Sequence, residues 1–428
     1  MITTIIIFAL TCISLILSVL FFPKTKVFKK EISTYWIVSL LGALLMIVFN
    51  KITFIDAFNG ITIDSSVNPI KILILFISLT LLSVFLDEIG FFKHLAYLVT
   101  KKAKTNQTLM FIILYIVISI LTIFTSNDIV ILTFTPFICY FAKNAKINPL
   151  PYLIGEFVAA NTWSMMLVIG NPTNIYLATS AGIDFISYFK VMFLPTVIAG
   201  LVEIGLIYLL FNKQLKEPLN CEIEDEKIKD KPSLVVGLIH LVICFILLII
   251  SSYINFEMWI ICLASCLSLV LFTMIYSFKN KKKFSYLKST LKHLPWELIP
   301  FVLSMFIIVI ALNKQGIVEN LQNLFGENNL VYKYGYSSYL ASNMMNNIPM
   351  SVLFASVCQN NLEATYATII GSNIGAFLTP IGALAGIMFT NLVNKQNIKY
   401  SFKDFIKYGI IISVPVITVA LLILNLVL

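Results

Sequence analysis

Every span of a membrane chain must cross roughly thirty ångströms of hydrocarbon. Two polar sequences sit where that hydrocarbon would have to be, Ser126-Asn127-Asp128 and Met345-Asn346-Asn347-Ile348-Pro349, at corresponding places in the two halves of a strongly apolar chain. Each is followed by a second interruption, Gly170-Asn171-Pro172-Thr173-Asn174 in the first half and Thr379-Pro380-Ile381-Gly382 in the second. Lipid tolerates broken helices and side-chain amides only where protein or a water-filled cavity covers them. A duplicated pair of breaks therefore points to a substrate site at the interface of two repeats, the arrangement found in secondary transporters.

Composition sets the class. Hydrophobic residues make up 59% of the 428 and charged residues only 12%, with a mean hydropathy of +0.93, which excludes a water-soluble domain. The net charge of +9 comes from Lys in short loops between apolar segments. There it sets orientation in the membrane and gives no sign of a nucleic-acid partner. All thirty basic residues are Lys. Bidentate Arg clamps are thereby excluded, and an anion would have to be held by helix N-termini, amides, hydroxyls or Lys. The seven Cys form no CxxC pair and read as small core residues with reduced thiols. Ile2 to Phe22 lacks a basic leader and a small-residue cleavage site, so it reads as a retained membrane helix.

The apolar runs predict an all-α polytopic fold with about ten spanning helices of roughly twenty residues each. They are Ile2–Phe22, Tyr35–Phe49, Ile70–Leu86, Tyr152–Gly182, Phe189–Phe211, Ser233–Ile254, Phe256–Ser277, Trp296–Leu312, Ala364–Asn394 and Ile406–Leu428. Thr108–Ala142 and Tyr336–Cys358 carry their polar residues near the middle, and both suit re-entrant hairpins with those residues at the tip. With two hairpins and two broken helices, 152–182 and 364–394, all Lys but Lys51, Lys71, Lys190, Lys314 and Lys333 fall on one side, which would be cytoplasmic. Treating either hairpin as a full crossing would move the Lys-rich segments after it to the wrong side. Two inverted repeats are expected, residues 1–211 and 233–428. Amphipathic stretches Glu88–Lys102 and Lys314–Phe325 precede the hairpins on opposite faces, and 212–232 forms a hydrophilic cytoplasmic linker.

The ordered motifs resemble a known family. They are Leu86-Asp87-Glu88-Ile89-Gly90-Phe91-Phe92, Ser126-Asn127-Asp128 with Thr135-Pro136 downstream, Met345-Asn346-Asn347-Ile348-Pro349, and Ile370-Gly371-Ser372-Asn373-Ile374-Gly375 running into Thr379-Pro380-Ile381-Gly382-Ala383-Leu384-Ala385. They are similar to the arsenical-pump membrane permeases of the ArsB/NhaD group, in the ion transporter superfamily. The resemblance runs from about residue 70 to the C-terminus. It implies a multi-pass plasma-membrane antiporter that exports arsenite or antimonite on the proton gradient, with a homodimer allowed by family analogy. Other branches of the superfamily carry citrate, dicarboxylates or sodium. Relatives of Gram-positive type carry acids where this chain has Asn161 and Asn373, and the Gly170–Asn174 motif looks closer to the citrate and sodium branches.

The residues themselves leave the substrate open. Asn127, Asn171, Asn174, Asn346, Asn347 and Asn373, with Thr173, Ser372 and Thr379, offer neutral donors and acceptors. These suit a small polyhydroxylated solute such as arsenous acid, an inorganic oxyanion, or a small carboxylate. Asp128 is the ionisable group at a break, expected to contact substrate or carry coupling; its alternative is a cap on the second hairpin limb. Glu156 is the second coupling candidate, unless it is a first-turn acid. The coupling ion would be H+ or Na+. His240 reads as a satisfied interface histidine or as a titrating group, and Asp87 and Glu88 as solvated or capping acids. No metal or organic cofactor and no catalytic residue is expected. The three His make no HExxH motif, and there is no GxxxxGK[ST] loop, so ATP hydrolysis would require a separate subunit.

The orientation has a direct test. In a background without native Cys, cysteines placed in 212–232 and in 50–69 should differ in labelling by an impermeant thiol reagent added outside, with only the second labelled. Equal labelling would overturn the inverted arrangement.

Overall fold

Apolar runs in hydrocarbon close their backbone hydrogen bonds internally, and this chain is helical almost throughout. The computed structural model describes every residue except 23, 28–29, 64–67, 104–105, 219–227, 229, 255, 280–284, 360 and 397. The first half contains α1 (Ile2–Phe21), α2 (Tyr35–Val48), α3 (Phe54–Thr62), α4 (Pro69–Glu88), α5 (Phe91–Ala103), α6 (Gln107–Phe124), α7 (Asn127–Ala145), α8 (Leu150–Trp163), α9 (Pro172–Ser180) and α10 (Phe185–Leu215). The second contains α11 (Lys231–Ile254), α12 (Met258–Lys279), α13 (Ser285–His293), α14 (Leu298–Lys314), α15 (Ile317–Phe325), α16 (Leu330–Met345), α17 (Asn347–Cys358), α18 (Leu362–Gly375), α19 (Leu384–Lys395) and α20 (Phe402–Val427). Among the described residues, seven helical stretches are long and apolar enough to cross a membrane. The chain is an all-α multi-pass membrane protein. α8, α9, α18 and α19 have 14, 9, 14 and 12 residues, and none of them is among those seven stretches.

The chain doubles back twice. Tyr152, at the start of α8, donates its hydroxyl to Gln107 Oε1 at the start of α6, 3.0 Å away. Because α7 ends only four residues before α8, the beginning of α6 and the end of α7 lie at the same end of the molecule, and the turn falls at Thr125-Ser126. Likewise Tyr334, in the first turns of α16, donates to the Val357 carbonyl at the end of α17. The tip there is Asn346, held at φ +73 and ψ 151, a strained backbone outside the left-handed helical region. The second limb of each doubled segment packs against the other half: α7 on α19, and α17 on α9.

Several boundaries differ from the sequence expectation. The loop after α1 pairs β1 (Lys24–Val27) with β2 (Lys30–Ser33), antiparallel, with Lys24 opposite Ser33; four alternating residues were too few to register as a strand against the neighbouring span. The expected hairpin 336–358 begins earlier, at Leu330, because the polar-aromatic turn Tyr332-Lys333-Tyr334 is helical once it packs on Phe325 and Phe354. α10 extends past Phe189–Phe211 at both ends, started by Asp184, whose carboxylate accepts from the Ile186 and Ser187 N–H groups. α3 is closed by a capping box between Thr53 and Asp56. Lys314, at the end of α14, pairs with Asp56, and this bond holds the exposed Asp56 carboxyl down at about 2, below its ordinary range. Of the expected linker, residues 219–227 and 229 lie outside the described residues.

The closest helix pairing is α16 with α18, where small residues let backbones approach. A Cβ on Gly371 would stand 2.0 Å from Ser338 Oγ and 2.4 Å from the Gly335 carbonyl oxygen, and one on Gly375 would stand 2.8 Å from the Tyr339 carbonyl oxygen. Gly205, in α10, has open space around the same position. Gly371→Ala should therefore lower the melting temperature in detergent and reduce the folded fraction, because backbone cannot yield. Gly205→Ala should match or exceed wild type, since it trades only helix propensity, about 0.5–1 kcal/mol in its favour. Fluorescence-detected gel filtration after a heating series compares the two, and equal curves would contradict this packing.

Candidate functional site

A helix that stops inside apolar protein leaves carbonyl and N–H groups that must find partners. The first break, between α8 and α9, passes through two short 3-10 turns, Ser164–Met166 and Val168–Gly170. Its free groups are taken by amides. Asn174 Nδ2 donates to the Ser164 carbonyl at 2.9 Å, and Asn171 Oδ1 accepts from the Thr173 N–H at 3.1 Å, capping α9. Gly170 is required here, because a Cβ would stand 2.2 Å from the Ser164 carbonyl oxygen.

The same amides reach across the molecule. Asn373, near the end of α18, accepts through Oδ1 from Ser164 Oγ at 2.9 Å and from Asn171 Nδ2 at 3.0 Å. Its Nδ2 donates to Asn174 Oδ1 at 2.6 Å and to the Ile369 carbonyl at 2.8 Å. From the α7 tip, Asn127 Nδ2 donates to Asn161 Oδ1 at 3.2 Å. Ser164 Oγ also lies 2.7 Å from the Asn161 carbonyl, so its one hydrogen is shared between that carbonyl and Asn373 Oδ1, joining that pair to the rest. All six side chains, Asn127, Asn161, Ser164, Asn171, Asn174 and Asn373, are buried. Asn161 and Asn373 occupy the same place, two residues before the ends of the 14-residue helices α8 and α18.

A second cluster ties the other tip to the other break. Asn346 Nδ2 donates to the Ile381 carbonyl at 3.0 Å, and the Asn347 N–H donates to the Gly382 carbonyl at 2.9 Å. Thr379 Oγ1 donates to Asn343 Oδ1 at 2.7 Å, while Asn343 Nδ2 reaches the Tyr339 and Gly375 carbonyls. Among the described residues, no hydrogen bond links this cluster to the first. A cavity of about 270 Å³ opens beside it, walled by Tyr35, Phe301, Asn346 and Ile381. A separate apolar cavity of about 390 Å³ lies between α4, α9, α14 and α17 and is bordered by Thr173 and Ser351. Thr173 Oγ1 and Ser372 Oγ are buried without a hydrogen bond, and neither joins the amide network.

The acids separate into distinct surroundings. Asp128 is half-buried in the first turn of α7. Ser126 occupies the N-cap position, and among the described residues none donates a hydrogen bond to the Asp128 carboxylate, so the capping alternative is not what this side chain does. Glu156 is fully buried, and Thr135 Oγ1 lies 3.0 Å from both of its oxygens. It stands beyond the first turn of α8, so the first-turn alternative fails; the helix begins earlier than the apolar run suggested. His240 is satisfied by the Val236 carbonyl at 2.8 Å and Ser268 Oγ at 3.1 Å. Asp87 accepts from Thr133 Oγ1, and Glu88 pairs with His293, so both staple the end of α4.

Four residues are absent from the sequence-derived candidates. Asn161, Ser164 and Asn343 join the two clusters, and Glu203 is fully buried in the middle of α10. The last had a readable signal: an acid in the centre of an apolar run. Asn161 was marked only by the acid that relatives of Gram-positive type carry there, and Ser164 and Asn343 had no signal, since an amide or hydroxyl at a helix end reveals its partner only when the helices are placed together.

A model of the CitMHS citrate transporter family matches residues 25–367. Among curated proteins, the arsenical pump membrane protein of Escherichia coli (strain K12) is 26% identical over 367 residues, covering 81% of this chain and 84% of its own. That of Yersinia enterocolitica is 25% identical over 367 residues with the same coverage. An uncharacterized transporter of Mycobacterium tuberculosis (strain ATCC 25618 / H37Rv) is 23% identical over 368 residues, 80% of this chain and 82% of its own.

Asn373 makes four side-chain bonds and Asn127 donates one. Asn373→Leu leaves Asn171 Nδ2 and Asn174 Oδ1 each without a partner, at about 1–3 kcal/mol per orphaned group, while Ser164 keeps the Asn161 carbonyl. It should abolish transport and visibly lower thermal stability in detergent. Asn127→Leu should abolish transport with a much smaller stability loss. Equal melting curves for wild type and Asn373→Leu would remove the bridging role, and wild-type transport in Asn127→Leu would remove the tip from the site.

Proposed function

The chain belongs to the CitMHS citrate transporter family, and from that premise and the chemistry of its breaks we propose that it is a secondary active transporter. It exports arsenite or antimonite by alternating access, driven by the proton gradient. The observation that carries this reading is the lining: amides and hydroxyls throughout, with no cationic side chain among the six buried members of the network. Arsenous acid is uncharged at neutral pH and carries three hydroxyls. Such a solute can exchange hydrogen bonds with Asn127, Asn346 and their neighbours without bringing an uncompensated charge into low dielectric. The relatives described as arsenical pump membrane proteins support the same choice.

A second reading is transport of a citrate-like carboxylate, favoured by the description of the matching family, or of sodium in exchange for protons. A tricarboxylate would bring several negative charges to a site whose positive ends are helix starts, those of α7, α9 and α17, with no cationic side chain in the amide network. Uptake assays in everted vesicles with arsenite, citrate and sodium, with and without an imposed pH gradient, separate these. Arsenite accumulation that needs an acid interior supports export; citrate accumulation alone would overturn it.

In this mechanism the doubled-back segments and broken helices move as one transport unit against the remaining helices, presenting the amide-lined site to each side in turn. Asp128 carries coupling at the tip, with Glu156 behind it. Asp128→Asn keeps shape and hydrogen-bonding capacity while removing titration. The variant should still exchange arsenite down its gradient but no longer accumulate it when a pH gradient is imposed. Accumulation at the wild-type rate would take the coupling role away from the tip.

A further inference from the structure

Glu203 sits in the centre of α10, fully buried, between Val202 and Ile204. The groups around it leave a hydrogen to be accounted for. Trp163 Nε1 donates to the Tyr115 hydroxyl at 3.1 Å. Tyr115 has one hydrogen of its own, and two acceptors face it: the Gly200 carbonyl at 2.9 Å and Glu203 Oε1 at 3.2 Å. On the other side, Glu203 Oε2 and Thr162 Oγ1 are both buried without a hydrogen bond, although Thr162 faces the carboxyl. With Glu203 ionised, Tyr115 can satisfy only one of its two acceptors, and a full charge lies in the apolar interior of a membrane helix without a cation. With Glu203 protonated, its O–H donates to Tyr115 while Tyr115 donates to Gly200, or it donates to Thr162. The neutral form therefore fits the surroundings.

The groups facing Glu203 can be stated element by element. α10 packs against α6, α8, α11, α20 and the 3-10 turns of the first break. Tyr115 of α6 is the titratable group that reaches the carboxyl, and Thr162 of α8 is the other polar one. Among the described residues, no Lys, His, Asp or second Glu from these elements exerts a charge on it. Asp128 and Glu156 belong to separate surroundings.

Its position gives the carboxyl mechanical reach. Trp163 is the last residue of α8, and its ring is seated so closely on α10 that a Cβ at Gly200 would meet it at 2.5 Å. The next residue, Ser164, supplies the hydroxyl and carbonyl that Asn373 and Asn174 hold. The Glu203–Tyr115–Trp163 chain is thus one peptide bond from the amide network, behind the break.

We propose that Glu203 is a proton-binding site distinct from the hairpin-tip acid, and that gain or loss of its proton repositions the end of α8 and with it Ser164 and Asn161 in the substrate site. This rests on the reading of the chain as a proton-driven transporter, but proton binding is measurable without transport. In the infrared spectrum of the purified full-length protein in lipid nanodiscs, wild type should show a protonated-carboxyl stretching band, sensitive to deuterium exchange, that Glu203→Gln lacks. Tyr115→Phe, which keeps the ring and removes the partner, should shift that band and its pH midpoint. In everted vesicles, Glu203→Gln should keep arsenite exchange while losing at least about tenfold of the accumulation driven by an imposed pH gradient, and its rate should become independent of pH.

Identical carboxyl bands in wild type and Glu203→Gln would overturn the proton site. An unchanged band in Tyr115→Phe would do the same if Glu203→Gln does not fold. Wild-type accumulation and pH dependence in a folded Glu203→Gln would overturn its link to α8. If wild type itself shows no pH-driven arsenite accumulation, the transport reading fails, and the infrared bands alone decide whether Glu203 binds a proton.

Discussion

Interrupting a helix where water is scarce leaves backbone groups that only side chains can satisfy, and the interior of this protein is arranged around that requirement. Ser164 and Leu167 at one break offer carbonyls, and Asn174 takes both. Gly375 and Ile381 at the other offer theirs to Asn343 and Asn346. Amides suit this task because each carries donors and acceptors at once, so a break can be closed without importing charge. The groups that close the breaks are consequently all uncharged.

Asn373 converts two local solutions into one structure. It belongs to α18, yet three of its four partners are on the segment from Ser164 to Asn174 in the other half. Any movement of one break relative to the other must stretch or exchange these bonds, which makes this network part of the resistance to motion as well as of the lining. Close packing of α16 on α18 at Gly371 and Gly375 makes the second half of the site rigid behind it. Moving parts are then expected to be whole helical units, with bonds exchanged at their borders.

Three acids lie among these elements in three different settings. Asp128 is half-buried with no bond among the described residues, Glu156 is held by Thr135, and Glu203 shares Tyr115 with a backbone carbonyl. A carboxyl at a tip can meet solute and solvent, whereas one locked behind a break can act only through the helix it touches. A gradient-driven cycle needs both kinds of group, one that exchanges protons with the aqueous path and one that translates occupancy into position.

The membrane class, the helical fold and the places where helices break were legible in the sequence, because a bilayer imposes length and polarity on every segment independently of its neighbours. The Asn-rich motifs at 127, 171, 174, 346 and 373 stood out for that reason. Glu203 was legible by the same rule, as an acid inside an apolar run. What only the tertiary structure decided was partnership. That Asn373 bonds to Asn171, Asn174 and Ser164 roughly two hundred residues away, or that Glu156 belongs to Thr135 and Glu203 to Tyr115, depends on how helices are set side by side. The early start of α16 depended on it too, since a short polar-aromatic segment becomes helical only when tertiary packing outweighs its weak local preference.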